Sequence, residues 1–222
     1  HHINYTMSIG RKPHIGKVYN KEKTKKKLIS SVGKILVKDG HSAIRINKIE
    51  SVSGVTKKLI YDYFGGLKGL VKAYLSQIDF WKIEESKLDK GDVVLETGAT
   101  PQFMNNLLRN DFEYLMKSQE MQKIILWGIS EKNKSIKELT DEREKFGELI
   151  FAQTDNFFVN SAVDYRATVA IFASAIYYMA LHISTNGSTM CGIDMSKEEG
   201  QERIFTAMER LLKQTYKYTG DD

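Results

Sequence analysis

Apolar residues recur every three or four positions along most of this chain, a spacing typical of amphipathic helices rather than strands. Only two prolines interrupt the pattern, Pro13 and Pro101. The sequence therefore predicts an all-α fold. The predicted helices span Thr24–Lys38, Lys57–Phe64, Lys68–Leu88, Glu120–Lys132, Ser135–Asn160 and Asp164–Asn186, with others starting near Ile46, at Pro101 and after the capping-box sequence at Ser196.

The segment Arg45–Leu70 predicts two short helices joined by a tight turn. Ile46, Ile49 and Val52 give the first helix one apolar face. Gly54 stands where the chain must turn, since glycine tolerates the positive φ that such turns require. Thr56 is a natural N-cap for the second helix, because a threonine hydroxyl can accept a hydrogen bond from an early backbone N–H. This layout is that of a DNA-reading helix-turn-helix.

The second helix separates into an apolar face and a basic face. Its apolar positions are Leu59, Ile60, Tyr63 and Phe64. Its outward positions near the N-terminus are Thr56, Lys57, Lys58 and Tyr61, where a recognition helix meets base edges and phosphates. The alternative is a small helical hairpin with a solvated basic face. The turn, the cap and the aromatic end together favour DNA binding.

Charge is distributed unevenly along the 222 residues. The segment up to Lys58 carries +11, whereas the whole chain carries +5, so the remainder carries −6. A polyanion such as DNA is the natural partner of the basic segment. Residues 1–22 are predicted to be a flexible basic leader that begins with a tag remnant, His1-His2. Its Gly10–Pro13 segment resembles an AT-hook, although a solvated tail is the favoured interpretation.

Over Thr24–Leu75 the chain resembles the tetracycline-repressor (TetR) family of bacterial transcription regulators. The resemblance implies a three-helix DNA-binding domain over residues 23–68 and a helical effector-binding and dimerisation domain over residues 69–222. It implies that Phe64 belongs to the core and that Lys68 contacts a phosphate. The DNA-contacting residues that it implies, with Arg45 added where the family often has threonine, are Arg45, Thr56, Lys57, Lys58, Tyr61, Tyr63 and Lys68.

The C-terminal two-thirds is expected to hold a small hydrophobic or aromatic effector and to form a homodimer. The candidate pocket residues are Trp81, Phe103, Leu107, Phe112, Met116, Trp127, Phe146, Ile150, Tyr177, Tyr178 and His182. For any one of these aromatic and apolar residues, a place in the core is the simpler interpretation. The last two helices are expected to pair with their copies, as the resemblance implies, through Ile171, Ala175, Met179, Ile204, Met208, Leu211 and Thr215.

Several other classes of protein lack support in the sequence. No glycine-rich phosphate loop, clustered Cys/His ligand set or serine elbow is found, so neither an enzyme nor a cofactor is predicted. No apolar run is expected to reach the length of a membrane span. The single cysteine, Cys191, fits a reducing cytoplasm. The predicted function is a ligand-released transcriptional repressor that binds a near-palindromic DNA operator. The alternative is an architectural or division-linked DNA-binding protein without a small-molecule ligand.

Overall fold

The computed structural model describes residues 15–89, 100–187 and 189–217, and this part of the chain is helical without a strand. A 3-10 turn, His41–Ala43, follows the first of eleven α-helices. The helices are α1 (Ile15–Asp39), α2 (Ile46–Ser53), α3 (Lys57–Phe64), α4 (Leu67–Ile78), α5 (Phe80–Asp89), α6 (Pro101–Lys117), α7 (Gln119–Ser130), α8 (Lys134–Phe151), α9 (Asp155–Phe158), α10 (Tyr165–Thr185) and α11 (Glu198–Lys217).

Helices α1, α2 and α3 pack around a small apolar core that α4 closes. Val32, Ile49, Ile60 and Leu70 are all fully buried within it. Gly54 ends α2 in the left-handed conformation, with φ 66°, as the tight turn between α2 and α3 requires. The predicted helix-turn-helix is therefore present with the expected boundaries.

Helix α1 begins at Ile15, nine residues before the predicted start at Thr24. Residues 15–22 of the expected flexible leader are thus helical. Their polar and lysine-rich sequence hid this extension, because the buried apolar stripe of α1 begins at Leu28 among the side chains that the structure describes. The Gly10–Pro13 segment lies outside the described residues.

The predicted helix Lys68–Leu88 is broken at Asp79 into α4 and α5. The Asp79 backbone is extended, with ψ 122°, and its Oδ2 accepts a hydrogen bond from Lys82 N at 3.2 Å. An aspartate that caps a new helix competes with continuation of the old one. Because the apolar period runs unchanged through this position, hydropathy alone missed the break.

The predicted helix Ser135–Asn160 also divides, into α8 and α9. The buried Thr154 hydroxyl donates to the Phe151 carbonyl at 3.1 Å and satisfies the end of α8 locally. The turn brings Phe158 onto Tyr165, with ring centroids 4.6 Å apart and nearly parallel. This aromatic contact stabilises the change of chain direction after α8, which the continuous apolar spacing did not predict.

Helix α6 is the central element of the C-terminal domain, and both α10 and α11 pack along it. Its start is as predicted: Thr100 Oγ1 accepts from Phe103 N at 3.1 Å, and Pro101 occupies the first turn. The capping box expected at Ser196 is not formed. Its hydroxyl and backbone N–H both donate to Asp194 instead, at 2.5 and 3.0 Å.

Helix α10 is more apolar than expected. By length and composition it is the one described helix that satisfies the criteria for a membrane span, contrary to the expectation that no apolar run was long enough. It packs against α6 and α7, but only a third of its most apolar window is buried within the protomer. Its remaining apolar face is therefore available for a partner.

Gly33 lets α1 approach α4 and α7 closely. A Cβ atom at this position would lie 2.1 Å from Glu120 Oε1 and 2.9 Å from the Tyr74 ring. Gly33→Ala is expected to destabilise the chain by about 1–3 kcal/mol through overpacking, as measured by urea denaturation. The matched control is Gly147→Ala in α8, where the nearest atom lies 3.7 Å away and alanine should be neutral or stabilising. Equal midpoints for the two variants would contradict the packing described.

Candidate functional site

The N-terminal half of α3 presents a continuous polar surface to solvent. Thr56, Lys57, Lys58 and Tyr61 are all exposed on it. Tyr63 is only half-buried and packs against the core, and Lys21 Nζ lies 5.4 Å from the centre of its ring. The helix extension of α1 therefore brings a further lysine to this surface.

Glu50, not Thr56, caps α3. Glu50 Oε1 accepts a hydrogen bond from Lys57 N at 2.8 Å, while the Thr56 side chain makes no cap bond. The prediction of a threonine cap was wrong because the preceding helix already supplies a stronger, charged acceptor. As a result, the Thr56 hydroxyl at the start of α3 is not committed to capping.

Two further candidates lie at the border of this surface. Arg45 is exposed, and its Nε donates to the Ser42 carbonyl at 3.2 Å. Lys58 Nζ lies 3.9 Å from Asp62 Oδ2, a loose pair one helical turn apart. Exposed pairs of this kind are weak, so Lys58 can exchange Asp62 for a phosphate at little cost.

Lys68 joins the start of α4 to α8. Its Nζ lies 2.8 Å from Glu138 Oε1, and Lys72 Nζ lies 3.7 Å from the other oxygen of Glu138. Along the same face Lys72 and Lys82 both reach Glu142, at 3.6 and 3.0 Å. The hydrogen bond from Lys68 lowers the pKa of Glu138, and that from Lys82 lowers the pKa of Glu142. We call this alternating row of charges the α8 ladder.

A second contact between the domains involves Trp127, which was expected in the ligand pocket. Its ring stacks on that of His41, with centroids 5.3 Å apart and planes 13° from parallel. Trp127 Nε1 donates to Glu131 Oε1 at 2.6 Å, and His41 Nε2 lies 3.5 Å from the same oxygen. The prediction for Trp127 was wrong because the polar edge of the indole faces the 3-10 turn.

A cavity of about 600 Å³ lies between α5, α6, α8 and α10. Trp81, Ile150 and Tyr177 line it, as expected. Five other candidates pack in the core and do not line it, because their helix faces point toward neighbouring helices: Phe103, Leu107, Phe112, Met116 and Phe146. Phe112, for example, lies edge-on against Phe205 at 5.4 Å. Tyr178 is 60% exposed and stacks on the half-buried His182, so neither of these candidates lines the cavity.

The floor of the cavity is polar and was not predicted. Arg143 lines the cavity and donates through Nε to Asp79 Oδ1 at 2.8 Å, with a second hydrogen bond from Nη2. Trp81 Nε1 donates to the Tyr177 hydroxyl at 2.8 Å. Asp111 adjoins this group and is 1% exposed. Burial raises the pKa of Asp111 to about 7, against the opposing effects of Arg143 and Tyr177.

The sequence did contain a signal for Asp111, the carboxylate that adjoins this floor. Asp111 stands on the buried face of α6, between Leu108 and Leu115, where a carboxylate is costly unless it has a role. Asp79 and Arg143 carried no such signal, because they lie 64 residues apart and only the fold brings them together.

The candidate dimer residues fall into three groups. Ile171 and Leu211 are 67% and 48% exposed, so they lie on outward faces of α10 and α11. Ala175, Ile204 and Thr215 are half-buried. Met179 and Met208 are buried within the protomer, which corrects their placement at an interface. They belong to the stripes by which α10 and α11 pack on the rest of the domain.

Two of the solved structures that match this fold are transcription regulators. A TetR family transcription regulator from Marinobacter aquaeolei VT8 superposes with a TM-score of 0.63 at 12% identity, covering 87% of this chain and 97% of that one. This chain has the fold of the TetR family. The transcriptional regulator FadR from Bacillus subtilis, solved in complex with stearoyl-CoA, gives 0.59 at 14% identity, covering 84% and 96%.

Both neighbours are described as transcription regulators, and this chain aligns with nearly the whole length of each. Comparison of the sequence with protein-family models and with curated proteins finds no match. The TetR-family fold thus agrees with the resemblance seen over Thr24–Leu75.

The raised pKa of Asp111 predicts a pH dependence of stability. Its folded pKa of about 7 exceeds the unfolded value of about 4, so folding binds a proton between these values. This group's contribution is full below pH 4 and is lost as the pH rises through 7. Asp111→Asn should therefore unfold at higher temperature than the natural chain at pH 8, by an amount equivalent to about 4 kcal/mol.

At pH 4 the two proteins should differ by less than about 1 kcal/mol, because Asp111 is then protonated in the folded chain and about half protonated in the unfolded one. Glu113→Gln, on the exposed face of the same helix, is the matched control and should be neutral at both values. A difference that is independent of pH would contradict this assignment of Asp111.

Proposed function

We propose that this chain is a homodimeric, ligand-responsive transcription regulator located in the bacterial cytoplasm. It would act as a repressor that an effector releases from DNA. One observation carries the proposal: an exposed basic recognition helix is connected, through the α8 ladder and the His41–Trp127 stack, to a domain that encloses a cavity. The TetR-family fold supports the same division of roles.

In this proposal α3 enters the major groove of DNA. Lys57 and Lys58 would hydrogen-bond guanine edges or phosphates, and Tyr61 would contact a phosphate or a thymine methyl group. Lys68 would contact a phosphate and would leave Glu138 to do so. Operator binding would then loosen the end of the α8 ladder nearest the DNA, which is one route by which DNA and effector can influence each other.

Dimerisation would place two copies of α3 about 34 Å apart, one turn of DNA. The exposed apolar residues Ile171 and Tyr178 stand seven residues apart on the same face of α10, and Leu211 is exposed on α11. A four-helix bundle between two protomers would cover these residues. A lipid bilayer is a poorer partner for α10, because one side of the helix is packed against α6 and α7.

An effector would act on the cavity floor. Arg143 lines the cavity and is hydrogen-bonded to Asp79, the residue that separates α4 from α5. A ligand that alters this contact would favour a state in which α4 tilts and the two recognition helices are wrongly spaced. To relieve repression well, its affinities for the two states must differ by a few kcal/mol.

The alternative is an architectural or division-linked DNA-binding protein without a small-molecule ligand, which the strongly basic N-terminal segment favours. Selection of genomic DNA fragments by the purified dimer, followed by anisotropy titration of the best fragment over a range of salt concentrations, separates the two. A regulator should select a near-palindrome and bind it at least a thousandfold more tightly than random DNA. Equal affinity for all sequences that collapses with salt would refute the regulator and favour the architectural function.

Two lysines should differ in how they contribute to DNA binding. Lys68→Ala should weaken binding to all sequences alike and lower the salt slope by about one unit. Lys57→Ala should instead relax the preference at particular base pairs. Lys213→Ala, on α11, is the matched control and should leave both properties unchanged. If both DNA-side variants shift affinity uniformly, Lys57 does not read bases.

The dimer face is tested by Ile171→Glu, which should convert the dimer to monomers in sedimentation velocity and weaken operator binding by at least a hundredfold. A buried charge at the centre of an apolar interface is strongly unfavourable. The control is Ile129→Glu on α7, since Ile129 is equally exposed but lies on another helix. A dimer that survives Ile171→Glu would place the interface elsewhere.

A further inference from the structure

The face of α1 that packs against the rest of the DNA-binding domain changes in character along the helix. From Leu28 onward this face is apolar, and both Leu28 and Val32 are fully buried where α2 and α4 pack on α1. Lys25 and Lys21 stand three and seven residues before Leu28, so they continue the same face. The side of α1 that faces the domain is therefore basic where the helix extends beyond the apolar core.

Lys21 reaches α3. Its Nζ lies 5.4 Å from the centre of the Tyr63 ring, in the last turn of α3. The Lys21 side chain is exposed and makes no ion pair among the described residues. A cation over a ring at an exposed site is weakly held, so this ammonium group can turn to another partner. The described turns of α1 before Leu28 thus border the recognition-type helix.

The positive charge of these turns is not balanced within α1. Apart from Asp39 at its end, α1 contains one acidic residue, Glu22, whose carboxylate lies 3.2 Å from Lys25 Nζ. Lys23 and Lys27 are both exposed and stand four residues apart, where like charges destabilise a helix. A polyanion lying along these turns would relieve this repulsion, which nothing else in the helix offsets.

The position of Lys21 matches the backbone of a duplex that α3 reads. The major groove of B-DNA is about 12 Å wide and is bordered by two sugar–phosphate strands. With α3 in the groove, Lys21 lies beside Tyr63 at the end of α3 and faces one of these strands rather than the base edges. Since α1 continues into the buried turn at Leu28, the helix fixes the place of this lysine relative to α3.

We propose that the N-terminal turns of α1, through Lys21 and Lys25, are a second DNA-contacting element that binds phosphates of the strand bordering the groove occupied by α3. The proposal rests on the DNA-binding function given above and adds a contact outside the helix-turn-helix. Part of the basic N-terminal charge would then act at fixed phosphates and would orient α3, while carrying no base information itself.

The dependence of DNA binding on salt tests this contact. Anisotropy titrations would compare the fragment recovered by DNA selection with random DNA of the same length. Each phosphate contact that is removed lowers the slope of log K against log salt by about 0.9. Lys21→Ala should therefore lower the slope by about two units per dimer on both DNAs. It should weaken both by roughly tenfold at low salt and leave the ratio of their affinities unchanged.

Two further variants show whether charge and position both matter. Lys21→Arg keeps the charge and should retain the natural slope. Lys34→Ala is the matched control, because Lys34 is also exposed on α1 but lies 13 residues further along, about 20 Å away and on the opposite side of the helix. It should leave slope and affinity unchanged. Alanine favours helix at least as well as lysine, so the helical circular dichroism of Lys21→Ala should not fall.

Ethylation interference locates the contact on the DNA. Ethylation removes the charge of a phosphate, so it weakens binding wherever that phosphate is contacted. For the natural chain, interference should extend to phosphates outside those contacted through α3 and Lys68. Lys21→Ala should lose interference at these outer phosphates alone, whereas Lys34→Ala should retain the whole pattern.

The outcomes separate this inference from the regulatory function. An unchanged salt slope and ethylation pattern in Lys21→Ala would overturn the α1 contact while leaving a specific regulator intact. An equal loss in Lys34→Ala would overturn it as well, since total charge rather than position would then matter. Failure of the regulatory function appears in the DNA selection, where no preferred sequence would be recovered, and the salt slopes on random DNA would still test α1.

Discussion

The buried ion pair between Asp79 and Arg143 is the interaction on which the arrangement of α4, α5 and α8 depends. Asp79 is completely buried, so its charge is tolerable only because Arg143 and the Lys82 backbone N–H both donate to it. The same carboxylate ends α4, caps α5 and holds α8 against both. Removing one partner of such a pair usually costs about 3–5 kcal/mol, because the other charge is left buried.

The α8 ladder differs from this pair in strength. Its lysines and glutamates are partly exposed, and exposed pairs contribute at most about 1 kcal/mol each. Helix α4 is therefore held firmly at its C-terminal end, by Asp79, and loosely at its N-terminal end, by Lys68. In the proposed mechanism a small change at Asp79 would alter the direction of α4. The weak ion pairs of Lys68 and Lys72 with Glu138 would break without opposing this change.

The cavity lies beside the Asp79–Arg143 pair. Arg143 belongs to both the cavity lining and the ion pair, so no separate pathway is needed to carry an effect from ligand to α4. The His41–Trp127 stack provides a second, independent contact between the domains. Its two rings lie on the 3-10 turn before α2 and on α7, so the stack holds these two elements together.

The helix-turn-helix was predictable because its determinants are local. Gly54 must adopt positive φ, and the spacing of Ile46, Ile49 and Val52 predicts one apolar face; both are properties of neighbouring residues. Of this face Ile49 is buried, Ile46 is half-buried and Val52 is 39% exposed. The break at Asp79 was not predictable, since the apolar spacing continues through it and its partner Arg143 is distant in sequence. Trp127 failed as a pocket residue for a similar reason: periodicity shows that a side chain is buried, but not against which helix.

The most direct test is the distance between the two helix-turn-helix segments of the proposed dimer, measured by pulsed electron paramagnetic resonance. Spin labels at Ser30→Cys, an exposed position on α1, in a Cys191→Ser background, report this distance in the natural chain and in Asp79→Asn. One narrow distribution is expected for the natural chain, unchanged when operator binds, and a broadened or displaced one for Asp79→Asn with full helical circular dichroism. Superimposable distributions in the two proteins would contradict the role assigned to the Asp79–Arg143 pair.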